Sequence, residues 1–390
     1  KGVKFMAQDL LRNAKKSKND EFYTQYEDIE KEVNEYYEYN KDVFKNKTIL
    51  LPCDDPEWSN FTKYFAANFD RFGLKKLIST SYVHSAGSKQ LSLFEKNTDE
   101  YDPEKHDTKG KIFVLDRDND NSGRIDIADL KFHYLEGDGD YRSKEVTKLR
   151  DEADIIITNP PFSMFRDFLN WILEANKKFL IIGNINCISY REVFLRIRDN
   201  KIWLGTGMGR WISGFIVPKS YKLYGSEAKI NSKGQRIVAT NNCLWLTNLE
   251  HGKRHQKLEL MTMEDNLRYN TKLKNRLKKK LNSNKYLKYD NYDALDVPFT
   301  EAIPSDYDGK MGVPMTFLDK YNPEQFKIIG GFNGSNLENK VKDGYVPSTD
   351  TPYIDKKTKK IKYWNGPTIN KKTQYYRIII QKKQVKNDED

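Results

Sequence analysis

Cysteine is scarce in this chain of 390 residues: Cys53, Cys187 and Cys243 are odd in number, far apart and without CxxC spacing. That pattern excludes a disulfide scaffold, fits a reducing compartment and offers no zinc site. The five histidines, His84, His106, His133, His251 and His255, supply no metal-ligand spacing either. No apolar run approaches the roughly 18 residues of a spanning helix, so the chain reads as soluble with no membrane partner. Its first residues lack the apolar centre of a secretory signal, and no segment repeats. Also missing is a G-x-G after the first apolar strand. Without that Gly-lined cradle a pyrophosphate has no seat, which argues against NAD and ATP and leaves room for a cofactor without phosphate.

What the chain has is apolar content for real cores, 37% hydrophobic and 13% aromatic, and length enough for two domains. Its net charge of +11 is segregated. Residues 1–200 hold 32 basic against 36 acidic side chains, whereas 251–290 hold 12 against 4 and 351–390 hold 11 against 4. A near-neutral half beside a basic half reads as a catalytic body with a polyanion-binding surface. Aromatics interleave the basic half at Tyr286, Tyr289, Tyr292, Tyr353, Tyr363, Trp364, Tyr375 and Tyr376, a pattern suited to stacking displaced bases.

Periodicity predicts an N-terminal segment and helix over 1–47, with Ile29, Val33, Tyr36, Tyr37 and Phe44 on one stripe. An α/β core follows over 48–250, about seven mostly parallel strands, and a basic region over 251–390. Expected strands include Thr48–Leu51, Leu74–Val83, Gly214–Val217 and Cys243–Thr247. The span 84–131, rich in Asp, Asn, Lys and Gly, reads as a surface insertion with room for one hairpin. Within it Asp118, Asp120, Ser122, Asp126 and Asp129 match much of a calcium loop, with Gly123 at its sixth position. The last ligand is Asp instead of Glu and a strand-like run precedes the loop, so it reads as an Asp/Asn/Gly turn in preference to a calcium site.

The most informative residues are Asn159-Pro160-Pro161-Phe162, directly after the apolar run ending at Thr158. Open α/β sheets do their chemistry at the C-terminal ends of such strands. Pro161 fixes φ and lacks an N–H, so the turn is stiff and the Pro160 carbonyl stays outside a helical ladder. The Asn159 amide oxygen and the Pro160 carbonyl can both accept from one planar –NH2 group. Phe162 offers a face for an aromatic ring. The cradle suits the exocyclic amine of a heterocycle. Two further turns, Cys53-Asp54-Asp55 and Gly137-Asp138-Gly139-Asp140-Tyr141, fall where a nucleoside cofactor would lie.

Together with the segments Lys16–Gln25, Ser213–Pro218, Asn242–Asn248 and Met311–Pro314, these motifs resemble the adenine-N6 DNA methyltransferases of the EcoRI modification methylase type. The likeness runs from about residue 14 to 330, with an echo at Tyr376–Ile380. It implies a Rossmann-like core, S-adenosylmethionine as donor with no metal required, duplex DNA as substrate and a C-terminal target-recognition domain. By motif, Tyr23 and Thr24 would meet the cofactor's methionine part. Cys53, Asp54, Asp55, Asp138, Asp140 and Tyr141 would line the rest of it, and Asn159–Phe162 would hold the target adenine. Phe215 becomes a candidate second face for the base. The strand end Ser79-Thr80-Ser81 stands where many relatives carry an acidic ribose ligand. The resemblance also implies a monomer in the cytoplasm of a prokaryotic or phage-infected cell, working in restriction-modification or as an orphan or phage modification enzyme; a cognate restriction endonuclease, where there is one, forms no stable complex with it. Competing readings are an RNA or protein-glutamine methyltransferase, and a DNA-binding protein with a decayed site.

Overall fold

The computed structural model describes residues 23–55, 59–83, 101–208, 212–217, 228–231, 234–239, 242–332, 352–354, 358–364 and 366–384. The chain forms two compact units, Lys1–Cys187 with Leu204–His251, and Ile188–Trp203 with Gly252–Asp390.

The first unit runs β1 (Tyr23–Thr24), α1 (Tyr26–Tyr39), β2 (Thr48–Leu51), α2 (Asn60–Ala67), β3 (Lys76–Ser81), β4 (Lys111–Leu115), β5 (Lys131–Tyr134), α3 (Lys144–Glu152), β6 (Ile155–Thr158), α4 (Phe165–Glu174) and β7 (Lys178–Asn184). It continues through β8 (Trp203–Met208), β9 (Phe215–Ile216), β10 (Ala228–Ile230), β11 (Arg236–Val238) and β12 (Cys243–Thr247). Eight of these strands, as described, make one mixed sheet in the order β5-β4-β3-β2-β6-β7-β12-β8. Its centre, β3-β2-β6-β7, is parallel. The flanks differ from the mostly parallel expectation. β4 runs antiparallel to β3 and pairs with β5 as a hairpin, and β12 is antiparallel to β7.

The span 84–131 supplies β4, first strand of the hairpin β4–β5, but that hairpin extends the large sheet beside β3 and is no surface insertion; residues 84–100 lie outside the described set. Gly214–Val217 also departs from expectation. Phe215–Ile216 joins a separate small sheet, ordered β1-β9-β11-β10.

Both faces of the large sheet are buried, as its continuous apolar strands require. Ile49, Leu51, Leu77, Ile155, Ile157, Leu180 and Ile182 share one core with Ile29, Val33, Phe61 and Phe65. The alternate residues Leu50, Ile78, Ile156 and Ile181 are equally buried on the opposite face. Helix α1 stops at Tyr39, so Phe44 reaches the same core from the loop beyond it.

The second unit has its own core. Strands β13 (Leu295–Asp296), β14 (Met311–Val313) and β15 (Phe326–Phe332) are followed by hairpins β16–β17 (Pro352–Ile354, Ile361–Tyr363) and β18–β19 (Thr368–Ile369, Lys372–Thr373), then β20 (Arg377–Lys382). The sheet order is β13-β14-β20-β15, with Ile378, Ile379 and Ile380 fully buried. Helix α5 (Arg191–Arg198) packs on β15. Inside, Arg377 donates to Asp296 at 3.0 Å and Tyr289 to the same carboxylate at 2.7 Å. Tyr286, Tyr289 and Tyr292 are 7%, 5% and 4% exposed, so they are core residues and not open stacking platforms. Tyr363 and Tyr375 are exposed, and the Tyr353 side chain lies outside the described set.

Candidate active site

The parallel strands deliver their turns to one edge, and polar side chains tie those turns together. After β2 the chain turns sharply at Cys53, whose φ of 68° is a left-handed conformation that glycine adopts without strain. A non-glycine residue thus holds the turn, and neighbouring groups fix it. The Asp54 N–H donates to the Thr80 carbonyl at 2.7 Å, and Cys53 N–H to the Thr80 hydroxyl at 3.4 Å. Asp54 and Asp55 are both buried.

The Asp54 carboxylate accepts from Ser59 Oγ at 2.6 Å and from Thr158 Oγ1 at 2.6 Å. Burial pushes its carboxyl up to about 7; the two hydroxyls pull the other way and Asp55 adds repulsion. Thr158 is the last residue of β6, immediately before Asn159. One carboxylate therefore locks the first-strand turn to the strand that carries the proline cradle. Ser59 also caps α2, accepting from Phe61 N–H at 3.1 Å. Its neighbour Asn60 donates to the Thr24 carbonyl at 2.8 Å, tethering β1.

From β1 the connection returns to the cradle. Thr24 pairs with Phe215 across β1 and β9, and the Phe215 ring meets Phe162 edge to face at 5.9 Å. Thr24, Asn60, Ser59, Asp54, Thr158, the cradle and Phe215 thus form a closed circuit. Within it Asn159, Pro161 and Phe162 are half-buried and Pro160 is buried. Phe215 is 3% exposed, which makes it a backing for Phe162.

Helix α1 holds the loop that leads to Phe215. Fully buried Glu32 accepts from Thr206 N–H and Oγ1 at 2.7 Å each, Gly207 N–H at 2.8 Å and Tyr36 Oη at 2.9 Å. Asp28 accepts from Ser213 N–H and Oγ at 2.9 and 2.8 Å. Gln25 donates to Ser213 and to the Gly214 carbonyl. Burial raises both carboxyls above their ordinary range.

The turn after β5 lies alongside. Val83 N–H donates to the Asp138 carbonyl at 2.9 Å. Gly139 has φ of 84°, and a Cβ there would fall 2.2 Å from the Ser81 carbonyl oxygen, so only glycine fits. Asp140 is paired with Arg142, whose guanidinium holds its carboxyl below the usual range. Tyr141 packs edge-on against Phe168 and Trp171 at 5.0 and 5.4 Å. Burial raises its hydroxyl to about 12, and Cys53 lies within electrostatic range of it. Tyr82 is raised by burial and by the charges of Asp138 and Asp140. Of the sequence-derived candidates, the cradle, both acidic turns and β1 converge on this edge.

The Asp-rich loop lies between β4 and a single 3-10 turn, Ile127–Asp129, and not between two helices. Asp118, Asp120 and Asp129 cluster there. Asp129 accepts from the N–H groups of Asn119, Asp120 and Asp126, and Asp118 from those of Ser122 and Gly123. Asp126 caps Ala128 and pairs with Arg124 at 2.9 Å.

A large mixed sheet with a parallel centre, whose strand-end turns are tied together by buried polar side chains, is consistent with a methyltransferase core. The family model for the adenine-specific methyltransferase EcoRI matches residues 10–383, and the chain belongs to that family. It is similar to the Type II methyltransferase M.EcoRI of Escherichia coli, 45% identical across 96% of this chain and 97% of that protein. It is also similar to the Type II methyltransferases M.MgeORF184P of Mycoplasma genitalium (32%) and M.MpnI of Mycoplasma pneumoniae (30%), each across 96% of this chain and 99% and 98% of theirs. No solved structure matches the chain significantly. The chain is accordingly an adenine-specific DNA methyltransferase, and its family implies S-adenosylmethionine as donor.

The strand-end turns fit that cofactor. The acidic ones suit a cationic ligand. The same edge also holds buried hydroxyls at Thr24, Ser81 and Tyr141 with no hydrogen-bond partner among the described residues.

Proposed function

We propose that the chain methylates N6 of one adenine within a specific duplex sequence, with the target base rotated out of the helix into the Asn159–Phe162 cradle. The closed circuit between β1, the Asp54 turn and the cradle carries this reading, because it binds the cofactor side and the base side into one rigid frame. An amine inside a duplex is out of reach, and extruding its base costs a few kcal/mol. Phe162 returns part of that by stacking, about 1–3 kcal/mol. S-adenosylmethionine, when bound, supplies an electrophilic methyl on a sulfonium. Asn159 Oδ1 and the Pro160 carbonyl accept hydrogen bonds from the two N6–H groups, which draws the nitrogen's lone pair out of conjugation and aims it; the N6–carbon bond forms as the carbon–sulfur bond breaks, and the surplus N6 proton leaves to water. Positioning and fixed dipoles do this work, with no shifted base required. Phe215 supports Phe162 from behind.

Tyr23 and Thr24 hold the methionine part of the cofactor. Cys53, Asp55, Asp138 and Tyr141 line its nucleoside part, while Asp54 and Asp140 shape the turns from inside. The second unit is the target-recognition domain: Lys278, Lys279 and Lys280 are exposed on a turn whose Leu277 and Leu281 are buried, and phosphate contacts suit such a face. The enzyme acts as a monomer in the cytoplasm of a prokaryotic or phage-infected cell, within restriction-modification or as an orphan or phage modification enzyme, and a cognate restriction endonuclease, where there is one, is not stably bound. Among the described residues no helix is long and apolar enough to cross a membrane.

Asn159→Ala tests the cradle. Methyl transfer to duplex DNA should fall by a thousandfold or more, about 4 kcal/mol, while calorimetric affinity for S-adenosylhomocysteine stays within about twofold. Full activity in that variant would refute the assignment.

A further inference from the structure

The hairpin β16–β17 of the second unit exposes large apolar side chains that folding normally hides. Ile354 and Ile361 lie directly opposite each other in its register, and each is 67% exposed. Tyr363, two residues along on the same face, is 46% exposed. Single exposed isoleucines are ordinary; a cross-strand pair continued by an aromatic is a patch. A lone two-stranded ribbon is also marginally stable in water, so this one gains from a surface to lie against.

Charge names that surface. The stretch 352–363 contains five lysines, Lys356, Lys357, Lys359, Lys360 and Lys362, against the single acid Asp355. Lys359, Lys360 and Lys362 are exposed, and Lys359 and Lys360 make no ion pair among the described residues. A polyanion with apolar spots matches such a ribbon. Duplex DNA has both properties. Its phosphates take lysine, its major groove is about 12 Å wide and admits a two-stranded ribbon, and thymine methyls line that groove.

We propose that β16–β17 enters the major groove of the substrate, with lysines on the phosphates and Ile354 and Ile361 against base edges, and so takes part in choosing the target sequence. The proposal rests on the duplex-DNA reading above. It is tested on the full chain with two double variants, Ile354→Ser with Ile361→Ser and Lys359→Ala with Lys360→Ala. Anisotropy titrations use one duplex bearing the methylated site, identified by single-molecule sequencing of DNA from expressing cells, and one scrambled duplex, over a range of salt.

The lysine variant should weaken both duplexes alike and flatten the dependence of log K on log salt by about 1–2, at roughly 0.9 per lost phosphate contact. The isoleucine variant should keep scrambled-duplex affinity and salt slope, and lower the site-to-scrambled ratio about tenfold. Urea midpoints of both should equal the parent's, since the changed side chains are exposed. Parental ratio and slope in both variants would overturn the proposal. A parent chain that binds neither duplex would instead overturn the DNA reading itself, and the ribbon's role with it.

Discussion

Replacing Asp54 with asparagine should make the enzyme more stable above neutral pH and change how stability follows pH. The carboxylate is 7% exposed and receives two hydroxyl hydrogen bonds, but Asp55 is its only charged neighbour among the groups that shift it. Burial without a cation raises the acid from 3.8 to about 7. The folded state then holds a proton that the unfolded chain has released. Its stabilising contribution is complete below about pH 4 and is lost as pH rises through about 7. Three pKa units at 1.36 each amount to about 4 kcal/mol. Asparagine keeps the shape and cannot ionise. The stability of the parent minus that of Asp54→Asn should therefore fall by about 1.4 kcal/mol per pH unit between pH 5 and 7, then level off. Urea unfolding of both proteins at pH 5, 6, 7 and 8 measures this, and other titrating groups cancel in the difference. A difference that stays constant across that range would mean the carboxylate is ionised throughout, and the argument from burial would fail.

Glu32→Ala removes the acceptor of four hydrogen bonds and strands the N–H groups of Thr206 and Gly207 beside the Tyr36 hydroxyl. Unsatisfied buried donors cost about 1–3 kcal/mol each, so a loss of about 3–5 kcal/mol is expected in urea unfolding at pH 7. A loss under about 1 kcal/mol would show that water replaces the carboxylate. Gly139→Ala should destabilise by about 2–4 kcal/mol and weaken S-adenosylhomocysteine binding, because its Cβ meets the Ser81 carbonyl and its φ is positive. Parental stability and binding in calorimetry would contradict that close approach.

The core of the fold was legible where the chain writes continuous apolar runs ended by turn residues. Thr48–Leu51 before Pro52 and Ile155–Thr158 before Pro160 appear as β2 and β6. Gly214–Val217 reads locally as one more strand of that kind, but its partner is Tyr23–Thr24, about 190 residues earlier, and no periodicity encodes such a pairing. Likewise Asp28 and Glu32 look like the solvated side of an acidic helix. Their donors, Ser213, Thr206 and Gly207, lie 174 to 185 residues away, so their burial is a tertiary fact. Tyr286, Tyr289 and Tyr292 show the converse: charge around an aromatic does not say whether its ring faces water or core. Asn60 was missed, though Ser59 ahead of an apolar helical pattern is an N-cap signal that could have drawn attention to it.

The second unit is not appended to the end of the first. Its residues come from 188–203 as well as from 252 onward, so the backbone passes between the units three times. Helix α5 buries Val193, Phe194 and Ile197 within a unit whose main body is encoded fifty residues later. Cutting the gene at His251 would therefore leave a greasy helix without the unit that buries it. On the proposal that the second unit reads the target, transplanting a new preference between relatives calls for exchanging two stretches at once, 188–203 and 252 onward.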